Sequence, residues 1–434
     1  MSKKLILSSF LVLALVGCKE KKGPPLEGKR EPVLIIGEDL SLSPEATSLE
    51  VTLPEPLPNQ DWPQTGGEPD HSMPSVILGQ NLKEVWRSSA GSGSRSDRRL
   101  LTTPVVAEGR IYTLDAQTMI RAFDVTTGKQ VWDMLISPTG KRVNSLGGGL
   151  AYADGRIFAT SAFAEVLSLD PKTGQIIWRH KVNSPIRSAP IVKDGRVYAL
   201  TINNHLEVLN AHNGKPLWTH AGISEVAGIL GGSSPAVGSG IVVVPYSSGE
   251  VYGLRVENGH PVWYESLTSF KHVDSITSIN HIRAQPVIDG NTAFLISHSG
   301  RMMALDVRTG KKIWTKEIGG IQTPVVSGNF IFLLSNDNKL VCLTKDHGYV
   351  KWVASLPLYK NEEKRKDRLL WAGPLLAGDR LILTGSNGNA LVHSAITGKE
   401  IGSFKLSYKT TLPPIAADKT LYVLTDRGDL TAYR

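Results

Sequence analysis

Cysteine is nearly absent from these 434 residues: Cys18 and Cys342 are the whole supply, so no disulfide framework is available. Long apolar runs are missing too. The one extended stretch, residues 5–16, is too short to span a bilayer. There is no P-loop, no HExxH and no GxSxG elbow, which removes the standard signatures of nucleotide hydrolysis, zinc proteolysis and α/β-hydrolase chemistry. The eleven histidines are scattered and no carboxylate cluster has metal-ligand spacing, so no metal site is expected. What the chain has instead is 41% hydrophobic residues, 42 glycines and 25 prolines, enough to bury a large core and to turn often.

Lys3 and Lys4 precede the apolar run, and Leu15-Val16-Gly17-Cys18 closes it. The tetrapeptide resembles a bacterial lipobox, which implies a signal peptide over residues 1–17 and a lipid carried by Cys18. Lys19 follows the cysteine, which is compatible with sorting to the outer membrane. Residues 18–60 are rich in Pro, Glu, Lys and Ser and poor in aromatics, and are expected to form a flexible tether with a reach of roughly 30–40 Å.

From residue 61 onward one phrase recurs. AFDVTTGKQVW, residues 122–132, returns as SLDPKTGQIIW, VLNAHNGKPLW, GLRVENGHPVW, ALDVRTGKKIW and CLTKDHGYVKW. Gly128, Gly174, Gly214, Gly259, Gly310 and Gly348 each precede by four residues Trp132, Trp178, Trp218, Trp263, Trp314 and Trp352. A seventh copy keeps Gly398 but has Gly402 in place of the tryptophan. Pro104, Pro190, Pro235, Pro286, Pro324 and Pro374 lie 24 residues before their glycine, with Leu150 in that place in the second copy. Between tryptophan and next proline the spacing varies: 18, 12, 17, 23, 10 and 22 residues.

Each unit holds four short runs rich in Val, Ile and aromatics, as in TPVVAEG, RIYTLDA, MIRAFDV and KQVWDM, parted by turn residues. Four strands repeated in tandem every roughly 44 residues predict an all-β fold, a β-propeller of four-stranded antiparallel blades with strands A to D. The tail PPIAADKTLYVLTDRGDLTAYR supplies only strands A, B and C, whereas LKEVWRS, containing Trp86, has a strand D pattern with no A to C before it. Joining them gives eight blades over residues 61–434 and a ring with no open edge. Within the phrase, Gly serves the C–D hairpin by taking φ > 0, Asp124, Asp170, Asn210 and Asp306 cap that turn, and each Trp is expected to pack on a neighbouring blade.

In a four-stranded blade the D–A and B–C connections emerge on one face and the A–B and C–D connections on the other. The length variation therefore belongs to one customised face. Its connections, from each tryptophan position to the next register position, carry 19 Lys and Arg against 9 Asp and Glu, a net of +10, while the whole chain is +8. Arg95, Arg98, Arg99 and the run Lys360, Lys364, Lys366 and Arg368 stand out. An acidic protein partner or anionic lipid head groups fit that sign.

The repeat, with its Pro-led start and Asp-x-x-Thr-Gly ending in Trp, resembles the PQQ-like propeller repeat of quinoprotein dehydrogenases and of the BamB family of outer-membrane lipoproteins. DWPQTGGEPDHS, LLTTPVVAEGRIYTLDA and ISHSGRMMALDVRTGKKIW are most similar to the alphaproteobacterial BamB type. The BamB resemblance implies a non-catalytic scaffold without cofactor, at the periplasmic side of the outer membrane. It also implies binding to the POTRA domains of a BamA-like protein beside other lipoproteins of the assembly complex, with no nucleic acid and no small-molecule substrate. By the same resemblance, the connections into the fourth and fifth blades, SEVAGILGG (224–232) and KHVDSITSINHIRAQ (271–285), are the expected contact, with Ala227, Ile229, Leu230, His281 and Arg283 as candidates. Leu230 stands where the enterobacterial motif has arginine. The alternative is a PQQ-dependent periplasmic oxidoreductase or PQQ-binding relative. Such enzymes typically carry an adjacent cysteine pair and calcium ligands, whereas Cys342 is alone and reads as a small core residue.

Overall fold

A computed structural model describes residues 40–225, 229–268 and 281–434. Cys18, the signal segment, the first part of the tether and Ala227 lie outside the described residues. The first blade consists of strands Val105–Ala107 (A), Arg110–Leu114 (B), Met119–Asp124 (C) and Gln130–Leu135 (D), hydrogen-bonded in that order. Strands A to C are almost wholly buried, while D alternates between exposed and half-buried, as a rim strand must. From blade 1 to blade 7 the A strands touch one another in sequence around the ring, so they line the axis.

Eight such sheets form the propeller. The last contains Ile415–Ala417, Thr420–Leu424 and Asp429–Tyr433, and its outer strand is Glu84–Ser89 from the opposite end of the chain. The pairing is antiparallel, with Trp86 opposite Ala432 and Ser89 opposite Asp429. Lys83 and Arg434 extend it by exchanging backbone hydrogen bonds of 3.0 and 2.9 Å. The closure expected from the orphan LKEVWRS is present, and it removes an edge that would otherwise be unpaired.

The repeated phrase has a second structural meaning. Each strand D tryptophan lies on the C–D turn glycine of the next blade: Trp86 on Gly128, Trp132 on Gly174, Trp178 on Gly214, and so on to Trp352 on Gly398. The seven indole N–H groups, from Trp86 to Trp352, donate to backbone carbonyls of the following blade at 2.7 to 3.1 Å. Glycine is required twice over. Its φ is positive, +67° to +75°, and a Cβ would fall 2.3 to 2.8 Å from the ring. Gly402 in blade 7 now has a physical explanation. Its successor, blade 8, has no C–D turn because its D strand comes from the other chain end, so a tryptophan there would have nothing to dock on. Phe404 fills part of that role by packing on Tyr433, ring centroids 5.4 Å apart.

The turn acids are caps. Asp124 Oδ1 accepts from the N–H groups of Thr126 and Thr127 and from the Thr127 hydroxyl at 3.2, 2.8 and 2.7 Å. Asp170 and Asp306 repeat the arrangement, and these bonds hold all three carboxyls below their usual pKa. Asn210 does the same without charge, accepting from His212 and Asn213 N–H groups.

The expected tether of residues 18–60 needs a correction at its C-terminal end. Residues 40–60 are packed on the propeller. A short helix, Pro44–Thr47, buries Ala46, and Ser43 bonds Val350 through both its backbone and its hydroxyl at 2.9 Å each. Val51 joins the apolar cluster containing Phe330, Trp352 and Leu381. The sparse apolar residues Leu40, Ala46, Val51 and Leu53, diluted by Pro, Glu and Ser, are the ones that find partners.

Residues 57–80 then cross the axis and touch the inner strands of many blades. Trp62 exchanges backbone hydrogen bonds with Val106 of blade 1, and Pro63 O accepts from Tyr152 of blade 2. The Gln64 side chain imitates a backbone unit, bonding both Val192 O and Val192 N of blade 3 at 2.8 and 2.9 Å. Pro69 and Asp70 carbonyls take N–H groups of Val237 and Ile288 in blades 4 and 5, and Val76 pairs with Leu376 and Gly378 in blade 7. Asn59 reaches Ala416 and Asp418 of blade 8. One segment thus ties distant blades together at the centre.

Candidate functional site

The two faces differ in the way the repeat spacing requires. The A–B and C–D turns are short, and the variable D–A connections meet the B–C turns on the other side. On that variable face the connections into blades 4 and 5 converge. The Ile229 N–H donates to His281 Nδ1 at 2.8 Å, and the Ser233 hydroxyl donates to Ala284 O at 2.9 Å. His281 is buried, and burial, with the nearby Arg283, His298 and Arg187, lowers its pKa to about 4. At neutral pH it is therefore an uncharged acceptor at Nδ1.

Arg283 runs beside Gly231, where a Cβ would sit 2.9 Å from its Nε, and burial pulls its guanidinium pKa down. Leu230 is 38% exposed. Leu230 and Arg283 line a groove of about 510 Å³ at the channel mouth, together with Leu100, Leu101, Ile321, Leu370 and Leu412. Ile229 and His281 border an adjacent polar cavity of about 180 Å³ with Arg187, Asn204 and Glu225. Four of the residues singled out from sequence, Ile229, Leu230, His281 and Arg283, therefore lie together. Ala227 and the lipid-acceptor candidate Cys18 fall outside the described residues.

The sequence reading missed the apolar side of this groove. Leu100, Leu101, Leu370 and Leu412 come from connections into blades 1, 7 and 8 and are adjacent only once the ring closes. Another omission is the hairpin Tyr359–Asn361 with Lys366–Arg368, which makes the basic run a structured projection. Its Arg368 donates to Asn336 O at 3.1 Å at the groove's edge. The Tyr359 and Asn361 positions opposite a Lys-rich stretch were the available signal.

A quinone cofactor of a propeller dehydrogenase would have to sit near the axis, and the residues of the cavity around Trp62 and His71 do not fit one. The axial cavity, about 110 Å³, is walled by Trp62, Met73, Val325, Leu375, prolines and the amides of Gln285 and Gln322. PQQ is a tricarboxylate used with calcium, and such a group calls for cationic side chains and acidic oxygen ligands. The one titratable residue in the wall is His71, kept neutral by burial with its pKa lowered to about 4. The buried polar atoms without partners beside it, Trp62 Nε1 and His71 Nε2, are likewise uncharged. Among the described residues no group of three His, Cys, Asp or Glu could hold a metal ion. Cys342 is buried in blade 6 opposite Trp352, and burial raises its thiol pKa far above the usual value.

Known proteins place the chain. The family model described as outer membrane protein assembly factor BamB matches residues 80–141 and 116–354, more than half of the sequence. BamB of Yersinia pestis is 28% identical over 312 residues, covering 71% of this chain and 78% of that protein. The crystal structure of BamB from Moraxella catarrhalis superposes with a TM-score of 0.67 at 15% identity, over 82% of this chain and all of that one. Quinohemoprotein alcohol dehydrogenase from Comamonas testosteroni shares the fold, with a TM-score of 0.65 at 14% identity over 86% of this chain and 80% of that one. The closed eight-bladed ring, the central segment and the matched repeats lead to one assignment: this chain belongs to the BamB family of outer membrane protein assembly factors.

Proposed function

We propose that the chain is a non-catalytic scaffold lipoprotein of the machinery that assembles β-barrel proteins in the outer membrane. In this reading lipid on Cys18 holds it to the periplasmic leaflet, residues 19–39 act as spacer, and the D–A face engages the POTRA domains of a BamA-like protein alongside companion lipoproteins. The observation that carries the reading is the junction of the blade 4 and blade 5 connections. There a neutral His281 fixes the Ile229 backbone, Leu230 stays exposed, and Arg283 lies partly desolvated at the edge of an apolar groove. An exposed apolar anchor beside a positioned arginine is the composition of an interface hot spot. The other supports are family membership and an axis crossed by the chain's own residues 57–80.

The test is affinity purification of the full-length lipidated protein from detergent-solubilised membranes. A BamA-like barrel protein should co-purify, and Leu230→Asp, a change at an exposed side chain, should remove it while the melting temperature stays unchanged. Absence of any BamA-like protein from the wild-type complex contradicts the reading. Sustained dye reduction after reconstitution with PQQ and calcium overturns it in favour of the dehydrogenase alternative.

A further inference from the structure

The ring closure creates a second feature on the D–A face, away from the blade 4 and 5 junction. Three stretches meet at the seam: residues 91–99 before blade 1, residues 408–409 before blade 8, and residues 426–427 in the B–C turn of blade 8. They enclose a cavity of about 420 Å³. Its wall carries five cationic side chains, Arg95, Arg98, Arg99, Lys409 and Arg427, against one carboxylate, Asp426. Burial raises the pKa of Asp426, while the Thr411 hydroxyl, donating to it at 3.2 Å, and the nearby Lys409 and Arg99 work the other way, so it is the single carboxylate in the wall against five cations.

Among the described residues, four of the five cations are held without an ion pair, Arg427 being the exception. Arg98 donates from Nε to Gly93 O at 3.1 Å and from Nη1 to Asn144 Oδ1 at 3.3 Å, two uncharged acceptors that fix its fork. Arg427 pairs with Asp429 at 2.6 Å while its guanidinium carbon stands 5.0 Å from the Tyr408 ring centre, giving the cavity an aromatic wall. Arg95, Arg99 and Lys409 make no ion pair among the described residues.

The floor is rigid. A buried pair, Arg121 and Asp115 at 2.9 Å, clamps it: Arg121 donates to Ala90 O and Asp115 accepts the Ser92 N–H. Gly91 and Gly93 permit this approach, since a Cβ on either would collide with Arg121 or with the Asp426–Arg427 backbone. Concentrating cations around a preformed concavity, four of them outside any ion pair among the described residues, is unfavourable in itself, and a bound anion relieves it.

The geometry points to a binding site at the seam for a phosphate-type anion, either free phosphate or the phosphate of an anionic lipid head group. Planar arginine forks and a lysine around a headgroup-sized cavity suit tetrahedral oxyanions better than the spaced carboxylates of an extended peptide. The site does not depend on the proposed contact at the blade 4 and 5 junction, and it shares only Arg99 with the apolar groove.

Isothermal titration of the full-length lipidated protein in detergent, at fixed ionic strength, tests it with three probes. These are inorganic phosphate, a soluble short-chain phosphatidylglycerol, and a Glu-rich peptide. Saturable binding of phosphate or the lipid, weakened at least tenfold in Arg98→Gln/Arg99→Gln and in Lys409→Gln, is the expected result. Lys409→Gln removes a side chain with no ion pair among the described residues, so it remains informative if the arginine variant folds poorly. A lipid bound at least tenfold more tightly than phosphate identifies the head group as the source, and equal or weaker lipid binding identifies the free anion. No binding of either, binding unchanged in the variants, or preference for the peptide overturns the inference.

Discussion

If the tryptophan of one blade docks on the turn glycine of the next, two glycines with the same backbone conformation must respond differently to the same substitution. Gly195 and Gly214 both lie in blade 3 and both have φ of +69°. Alanine at Gly195 meets nothing within 4 Å, whereas at Gly214 its Cβ would sit 2.6 Å from Cε3 of Trp178. Gly195→Ala therefore bears only the left-handed backbone term, about 1–2 kcal/mol. Gly214→Ala bears that term plus overpacking of about 1–3 kcal/mol, for a total of about 2–5 kcal/mol. Urea titration followed in parallel by far-UV circular dichroism and tryptophan fluorescence measures both, with coincident curves as the condition for comparing midpoints. In a Trp178→Ala background the excess at Gly214 should shrink to within about 0.5 kcal/mol of zero. Equal destabilisation by the two alanines, or an excess that survives removal of Trp178, would refute the docking of tryptophan on glycine as the reason for the repeat.

Further outcomes are expected from the same structure. Deleting residues 81–88 removes the outer strand of blade 8 and exposes the Asp429–Tyr433 edge, so the whole domain should melt lower and aggregate; an unchanged melting temperature contradicts the seam. Gly402→Trp should add no stability and should give the emission of a solvated indole, because blade 8 offers no turn glycine; a stabilised, blue-shifted protein would be inconsistent with this account. The capped carboxyls of Asp124, Asp170 and Asp306 have folded pKa values below the ordinary 3.8, so their stabilising contribution is complete above that value and is lost as pH falls through the lower folded one. Replacing all three by Asn, the residue that blade 3 uses at position 210, should flatten the acid limb of a stability–pH curve while leaving neutral stability nearly intact; an unchanged acid limb argues against the caps.

The architecture was legible because it is repeated. A single blade could be mistaken for other antiparallel structures, but the constant distance from register proline to glycine to tryptophan aligns seven copies, and the orphan Trp86 strand then completes the eighth. The second role of glycine was not legible. The spacing from each tryptophan to the glycine it touches crosses a variable connection, so no constant interval marks it. The axial segment was hidden for a different reason. Its contacts are made by backbone groups of Trp62, Pro63, Pro69 and Val76 and by one amide side chain, Gln64, and none of these is periodic. Residues 40–60 read as tether because composition averages over a few apolar residues, yet Ala46 and Val51 suffice when a preformed surface receives them. Of the candidate contact, Leu230 and Arg283 were named through family resemblance, while their groove partners Leu100, Leu370 and Leu412 become neighbours only when the ring closes.

The central claim is that specificity resides on the variable D–A face and that the C–D face is architecture. A photo-crosslinking amino acid placed at Leu230, compared with one at Lys399 in the capped C–D turn of blade 7, tests it in intact cells. The account predicts a crosslink from position 230 to a BamA-like barrel protein and none from position 399. A crosslink to that protein from position 399 alone would contradict it.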